Sequence, residues 1–329
     1  MEVEPLASGW DWDHFYTEVV RIKTSDRALG SVLILGALVG VLGNISAIFY
    51  FWPRRGKTIH DLQYLMITIV DVVSTSVFGL PVAISLFNNR RAVLFENDVF
   101  CTSWTLVILF TGRMSMFLAM MISITRTIAM KCPSCPIKRS WVIGPIAGYA
   151  AYLILIYVIY VPQGWHFAIY AAKVSSCGID FMHRGIPLVA MYIGMISYVV
   201  ELIVPSLTTF VCFVIGTWFL MTQPVLGNAN DRKFRRVSIT IAIFTGVFLV
   251  CNAPCFLCQL WKYFVWLINR KLPLKQPDKF HFYDQLLLQR FPIFVNAVIN
   301  PFLYLLRMRG YQNWVRRTAR IYPPANVNN

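Results

Sequence analysis

Charge is what this chain has least of: Asp, Glu, Lys and Arg make up 14% of its 329 residues, against about a quarter in an ordinary soluble domain. That shortage excludes a globular life in water. Residues 1–27 have no apolar h-region, so no cleavable signal peptide is expected and the first apolar run must direct insertion. No Asn-x-Ser/Thr site stands outside the apolar runs, because Asn44-Ile45-Ser46 lies within the first of them. Internal repeats, low-complexity tracts and a second domain are missing too. So are His-Glu-x-x-His, paired intramembrane aspartates and a nucleophile elbow, and the chain is not read as an enzyme.

What is there is apolar: 57% of the residues are hydrophobic and mean hydropathy is +0.59. Seven long runs stand out, at Ala28 to Trp52, Leu62 to Phe87, Phe100 to Met130, Ser140 to Val161, Leu188 to Met221, Phe234 to Leu267 and Tyr283 to Leu306. Each reaches the roughly 20 residues that a helix needs to cross the hydrocarbon core. The expected fold is an all-α membrane protein, a seven-helix bundle over 28–306. Residues 1–27 precede it outside the cell, and a cytoplasmic amphipathic helix and tail, 307–329, follow it.

The net charge of +15 would suit nucleic acid, but its placement reads as topology, and no nucleic-acid partner is expected. Fifteen lysines and arginines, from Arg54 to Arg320, lie after the first, third and fifth runs and in the tail, against only Asp61 and Asp231. In the other connections and the N-terminal segment, bases and acids nearly cancel. The positive-inside rule then puts the tail in the cytoplasm and the N-terminus outside a plasma membrane. The acidic, aromatic leader around Trp10, Trp12 and Tyr16 is expected to be mostly disordered.

Polar residues inside the runs are the functional candidates, since each is costly at bilayer depth. Asp71 sits mid-run in the second span. Asn296, Asn300 and Tyr304 recur every four residues and form one polar stripe on the last helix. Pro301 interrupts that helix and leaves the Ala297 carbonyl without its donor, so the helix must bend or recruit other groups. Pro205 and Pro254 free carbonyls at Glu201 and Val250 in the same way and provide hinges. Cys101 and Cys177 share the oxidising face and are expected to pair, whereas the other six cysteines lie in helices or on the reducing side. Cys132-Pro-Ser-Cys135 lacks the second pair of ligands that zinc needs. After Leu306, arginines interleaved with Tyr311 and Trp314 suit a short helix lying on the anionic inner leaflet.

Taken together, these residues resemble the rhodopsin-like class of seven-helix G-protein-coupled receptors over about residues 28 to 317. The likeness rests on Gly43-Asn44, Asp71, Cys101 with Arg126 25 residues on, Pro205, Phe248-x-x-Cys251-x-x-Pro254 and Asn300-Pro301-x-x-Tyr304. It implies a receptor that passes an extracellular ligand signal to a heterotrimeric G protein when the sixth helix swings outward. It also implies a sodium and activation network of Asn44, Asp71, Ser115, Asn296, Asn300 and Tyr304, with Asp71 and Ser115 as Na+ ligands. No other cofactor is implied. G-protein coupling would fall to Thr125, Arg126 and Thr127. Met116, Pro205, Phe248, Asn252, Pro254 and Pro301 would form the hinge and connector.

Departures from the family's pattern matter as well. Thr125 replaces the acid before Arg126, and Phe234 and Arg235 stand where an acid would face that arginine, which implies a weakened restraint and raised basal signalling. Asn252 replaces a tryptophan and Phe213 a tyrosine. A tail offering only Thr318 for phosphorylation implies weak arrestin coupling. Ile108 stands where amine receptors carry aspartate, and Phe294 where opsins carry lysine. Pocket candidates by alignment are Trp104, Ile108, Ser197, Glu201, Phe256, Gln259, Lys262 and Arg290, and the two last would suit an anionic group such as a peptide carboxylate. Arg113 and Glu201 are expected to face each other as a buried pair. A transporter or channel using Asp71, Arg113 and Glu201, or a decoy that binds without signalling, are the other readings.

Overall fold

A computed structural model describes the backbone at 12–54, 58–88, 98–132, 137–173, 196–222, 239–257 (without 198, 240, 241 and 255) and 279–321. Four helices come first: α1 (Trp12–Phe51), α2 (Ile59–Phe87), α3 (Asp98–Lys131) and α4 (Ser140–Lys173). A π-helical turn (Val199–Ile203) runs into α5 (Val204–Thr222). Then come α6 (Ala242–Pro254), α7 (Lys279–Arg307) and α8 (Arg309–Ile321). No strand occurs among the described residues.

Five stretches are long and apolar enough to span a membrane: Ser25–Phe51, Ile59–Phe87, Ser103–Lys131, Ser140–Tyr157 and Val199–Phe219. With α6 and α7 they form the all-helical membrane bundle that the hydropathy predicts. The α3 stretch is 56% buried and the α4 stretch 22%, which makes α3 the central post. It touches α2, α4 and α5, while α1 packs on α2 and α7. Leu35, Leu42, Phe49, Leu155, Leu207 and Trp218 point outward, as they must where lipid is the solvent.

Residues 12–27 correct the expectation of a loose leader: they continue α1 as helix. Neither Gly nor Pro occurs between Trp12 and Leu29, and adding residues to an existing helix costs far less than starting one. The start of α2 is set by Thr58, whose backbone is extended and whose hydroxyl accepts the Asp61 N–H at 3.1 Å. That satisfies a donor which the helix leaves open, and Asp61 places an acid by the positive helix end.

Two core clusters hold the bundle. One gathers Leu33, Ala37, Phe78, Leu86, Ile108 and Phe294, and the other Phe51, Tyr64, Met121, Tyr149, Tyr304 and Tyr311. Beyond Leu306 the chain turns through 87° into α8. This helix carries Arg309, Arg316 and Arg317 outward and seats Tyr311 against Tyr50, ring centroids 5.2 Å apart, with the Tyr311 hydroxyl on Ser46 Oγ. Cys212 and Cys251 are free thiols, and Cys132, expected among the reduced cysteines, takes part in a disulfide. The Cys101–Cys177 pairing lies outside the described residues.

Candidate functional site

The site begins at Pro301. Its ring lies against Gly43, where an added Cβ would come within 2.8 Å of it. Only a residue without a side chain lets α1 approach α7 there. The next residue, Asn44, is fully buried and donates through Nδ2 to the Ala297 carbonyl at 3.0 Å, the acceptor that Pro301 strips of its backbone donor. Gly43 thus admits the ring and Asn44 answers the carbonyl. Nδ2 also lies 2.9 Å from the Gly40 carbonyl, so both amide protons are used.

One position before the proline, Asn300 donates through Nδ2 to Asp71 Oδ2 at 2.6 Å. Asp71 is wholly buried, and its Oδ1 has no hydrogen-bond donor. Ser115 and Asn296 are each 3% exposed, and no hydrogen bond from either to Asp71 is found among the described residues. Tyr304, one turn beyond Asn300, packs edge-on against Phe51 and Tyr64 at 5.5 and 5.6 Å and stacks on Phe244 of α6 at 5.4 Å.

A second polar locus joins α3, α4 and α5. Arg113 Nε lies 3.3 Å from Glu201 Oε2, both side chains nearly closed to solvent. Glu201 sits within the π turn, and Tyr152 of α4 reaches both Ser197 and Glu201. An ion pair in a low-dielectric interior holds only while both partners stay. It therefore ties α3 to α5 four residues before Pro205.

At the far end of α3, Thr125 is 3% exposed and its hydroxyl lies 3.1 Å from Gln63 Oε1 and 2.9 Å from the Met121 carbonyl. Arg126 approaches Tyr64, Nη2 to hydroxyl 3.4 Å, with its guanidinium carbon 5.7 Å from the ring centroid. No acid pairs with Arg126 among the described residues. Thr127 turns its hydroxyl back to the Ser123 carbonyl at 2.8 Å.

Met116 and Phe248 share a small cluster with Leu202 and Ile293, and Pro205, three residues after Leu202, is buried. Asn252 occupies a buried place, its Nδ2 2.8 Å from the Phe248 carbonyl of its own helix and its Oδ1 without a donor. Of the pocket candidates, Ile108 and Ser197 are buried and Phe256 packs on the Met116 cluster. Trp104 is buried, and its indole N–H goes to the Val77 carbonyl at 2.7 Å, the acceptor that Pro81 leaves open in α2. Gln259, Lys262 and the Arg290 side chain lie outside the described residues, as does the basic segment Arg232 to Arg236. The residues that sequence reasoning missed are Gln63, Tyr64 and Tyr152. Each is a polar residue inside an apolar run, the signal that singled out Asp71.

A seam of buried polar groups through an apolar bundle, crossed by prolines, defines an integral membrane protein whose spanning helices meet at polar joints. Residues 43–304, which hold every joint described, match the 7 transmembrane receptor (rhodopsin family), and the chain belongs to that family. It is 22% identical to trace amine-associated receptor 1 of Mus musculus over 325 residues, covering 92% of this chain and 89% of that one.

Proposed function

We propose that this receptor is oriented with its N-terminus outside a plasma membrane and passes an extracellular signal to a heterotrimeric G protein by moving α6 outward. The observation that carries this reading is the contrast between α7, tied by polar side chains to α1 and α2, and α6, whose described residues make no side-chain hydrogen bond to another helix. Asn44, Gly43 and the Asp71–Asn300 bond fix α7 to α1 and α2. By contrast, Asn252 turns back on its own helix and leaves one amide oxygen unanswered. A ligand favouring one packing of α6 shifts the population towards it, and no chemistry is needed.

The name of the mouse relative points to trace amines, but the acids here argue for another ligand class. Ile108 is apolar and buried, and the buried acids among the described residues are Asp26, Asp71 and Glu201. Asp71 is held by Asn300 and Glu201 by Arg113, and Asp26 also has a partner. None of these three described acids is left to receive an ammonium group. A peptide or a small anionic molecule, met by Lys262 and Arg290, fits better. Oxygen ligands around Asp71, whose Oδ1 is open, suit a hard cation such as sodium. Coupling to arrestin through a tail with Thr318 alone is expected to be weak.

The test is nucleotide exchange on a panel of G proteins, basal and with pooled ligands, comparing wild type with Arg126→Ala at matched surface expression. Exchange that disappears in the variant supports the reading. Exchange absent from the wild type under every condition refutes it and favours a decoy.

A further inference from the structure

Among the described residues no acid pairs with Arg126, and the side chain that meets its guanidinium, Tyr64, comes from α2. Tyr64 is 6% exposed and Gln63 fully buried. A glutamine shut away from water costs several hydrogen bonds' worth of hydration unless it is put to use. Gln63 Oε1 receives the Thr125 hydroxyl and lies 3.4 Å from His60 Nδ1. Tyr64 offers its hydroxyl to Arg126 Nη2 and its ring to the guanidinium within the range of a cation–π contact. The same ring stacks on Phe51 at 5.5 Å and meets Tyr304 at 5.6 Å and Phe244 at 6.1 Å. One side chain of α2 therefore touches α1, α3, α6 and α7.

We propose that Gln63 and Tyr64 form a neutral latch, positioning residues that hold the Thr125–Arg126 end of α3 against α2 in place of the missing acid and link Arg126 to Tyr304 and to α6. The proposal rests on the receptor reading above. A hydroxyl and a ring face hold a guanidinium less tightly than a carboxylate does, so the latch opens at a lower cost than an ion pair would. Because Tyr64 contacts both Arg126 and Phe244, release of the arginine and loosening of α6 are one event.

The test uses the full chain in lipid nanodiscs, with spin labels on non-natural amino acids at the exposed positions Lys131 and Ile239, so that native cysteines stay untouched. Tyr64→Phe removes the hydroxyl and keeps the ring packing. It is expected to raise the population with a long Lys131–Ile239 distance, and basal exchange with it, by about three- to tenfold, the span of one ordinary net hydrogen bond, as suits a contact of 3.4 Å. Adding Thr125→Asp returns a carboxylate beside Arg126 and gives Gln63 Nε2, now without an acceptor, a partner. Both readouts should fall back towards wild type, which mere loosening of the fold would not do.

A distance distribution in Tyr64→Phe that overlays the wild type's overturns the latch, as does a rise that Thr125→Asp leaves in place. Should the wild type drive no exchange on any G protein, the receptor reading falls while the distances still decide the latch.

Discussion

Pro301 in α7 and Pro254 in α6 do the same thing to a helix and meet opposite fates. Each lacks the N–H that would answer the carbonyl four residues upstream, at Ala297 and at Val250. The Ala297 carbonyl is buried and taken up by Asn44 from a neighbouring helix, and the proline ring is received by Gly43. Val250 is 74% exposed, and no side chain among the described residues donates to its carbonyl. A proline break answered by a second helix is a rivet, and the break at Pro254 has no such answer among the described residues. Pro81, whose Val77 carbonyl takes the Trp104 indole, belongs with the first kind. Pro205 falls between them: the π turn beside it carries Glu201 to Arg113.

Five substitutions would break or sharpen this distinction. Arg113→Met should cost the most, on the order of 3–5 kcal/mol, because it strands Glu201 without its counter-charge. Arg113→Met with Glu201→Leu should recover most of that loss. Thermal unfolding in detergent at a fixed scan rate reads both, and equal losses in the single and double variants would remove α5 from the pinned class. Asn44→Ala reopens the Ala297 carbonyl in a dry place and should cost about 2–3 kcal/mol. A melting temperature unchanged by that substitution would mean the rivet at Pro301 carries no load.

Gly43→Ala drives a methyl into the Pro301 ring and is expected to cost about 1–2 kcal/mol by overpacking. The same assay measures it, and here a shift in the opposite direction would show room that the 2.8 Å approach denies. Asn252→Leu should be the mildest, within about 0.5 kcal/mol either way, since its amide serves only its own helix and already leaves one atom unpaired. A large loss there would place α6 among the riveted helices.

How far these joints were legible beforehand varied with the range of the interaction. The loss at Ala297 follows from Pro301 by local geometry, and the sequence alone predicts that something must answer it. That the answer is Asn44 does not follow, because the partners lie 253 residues apart. Gly43 could be placed through resemblance, but its reason, the ring of Pro301, needed the packed bundle. The facing of Arg113 and Glu201 was readable because two opposite charges in apolar runs have few other resolutions. The π turn that delivers Glu201 left no mark in composition. Tyr64 and Gln63 were overlooked because a tyrosine and a glutamine near a span end ordinarily meet water. Burial of 0% at Gln63 is a tertiary fact. The leader differs in the other direction: its terminal position points to disorder, while its lack of breakers lets α1 run back to Trp12.

The right-angled corner between α7 and α8 turns this end of the molecule into a crank. Thirteen residues of α8 make an arm of about 20 Å, and Tyr311 sits only about 3 Å along it. A turn of α7 by roughly 10° about its own axis would sweep the tip by about 3–4 Å and Tyr311 by about half an ångström on that geometry. The Ser46 and Tyr50 contacts thus clamp the crank near its pivot, where travel is least and resistance to small twists is poorest. A rotation too slight to break any bond at Pro301 would still be written large at the end of α8.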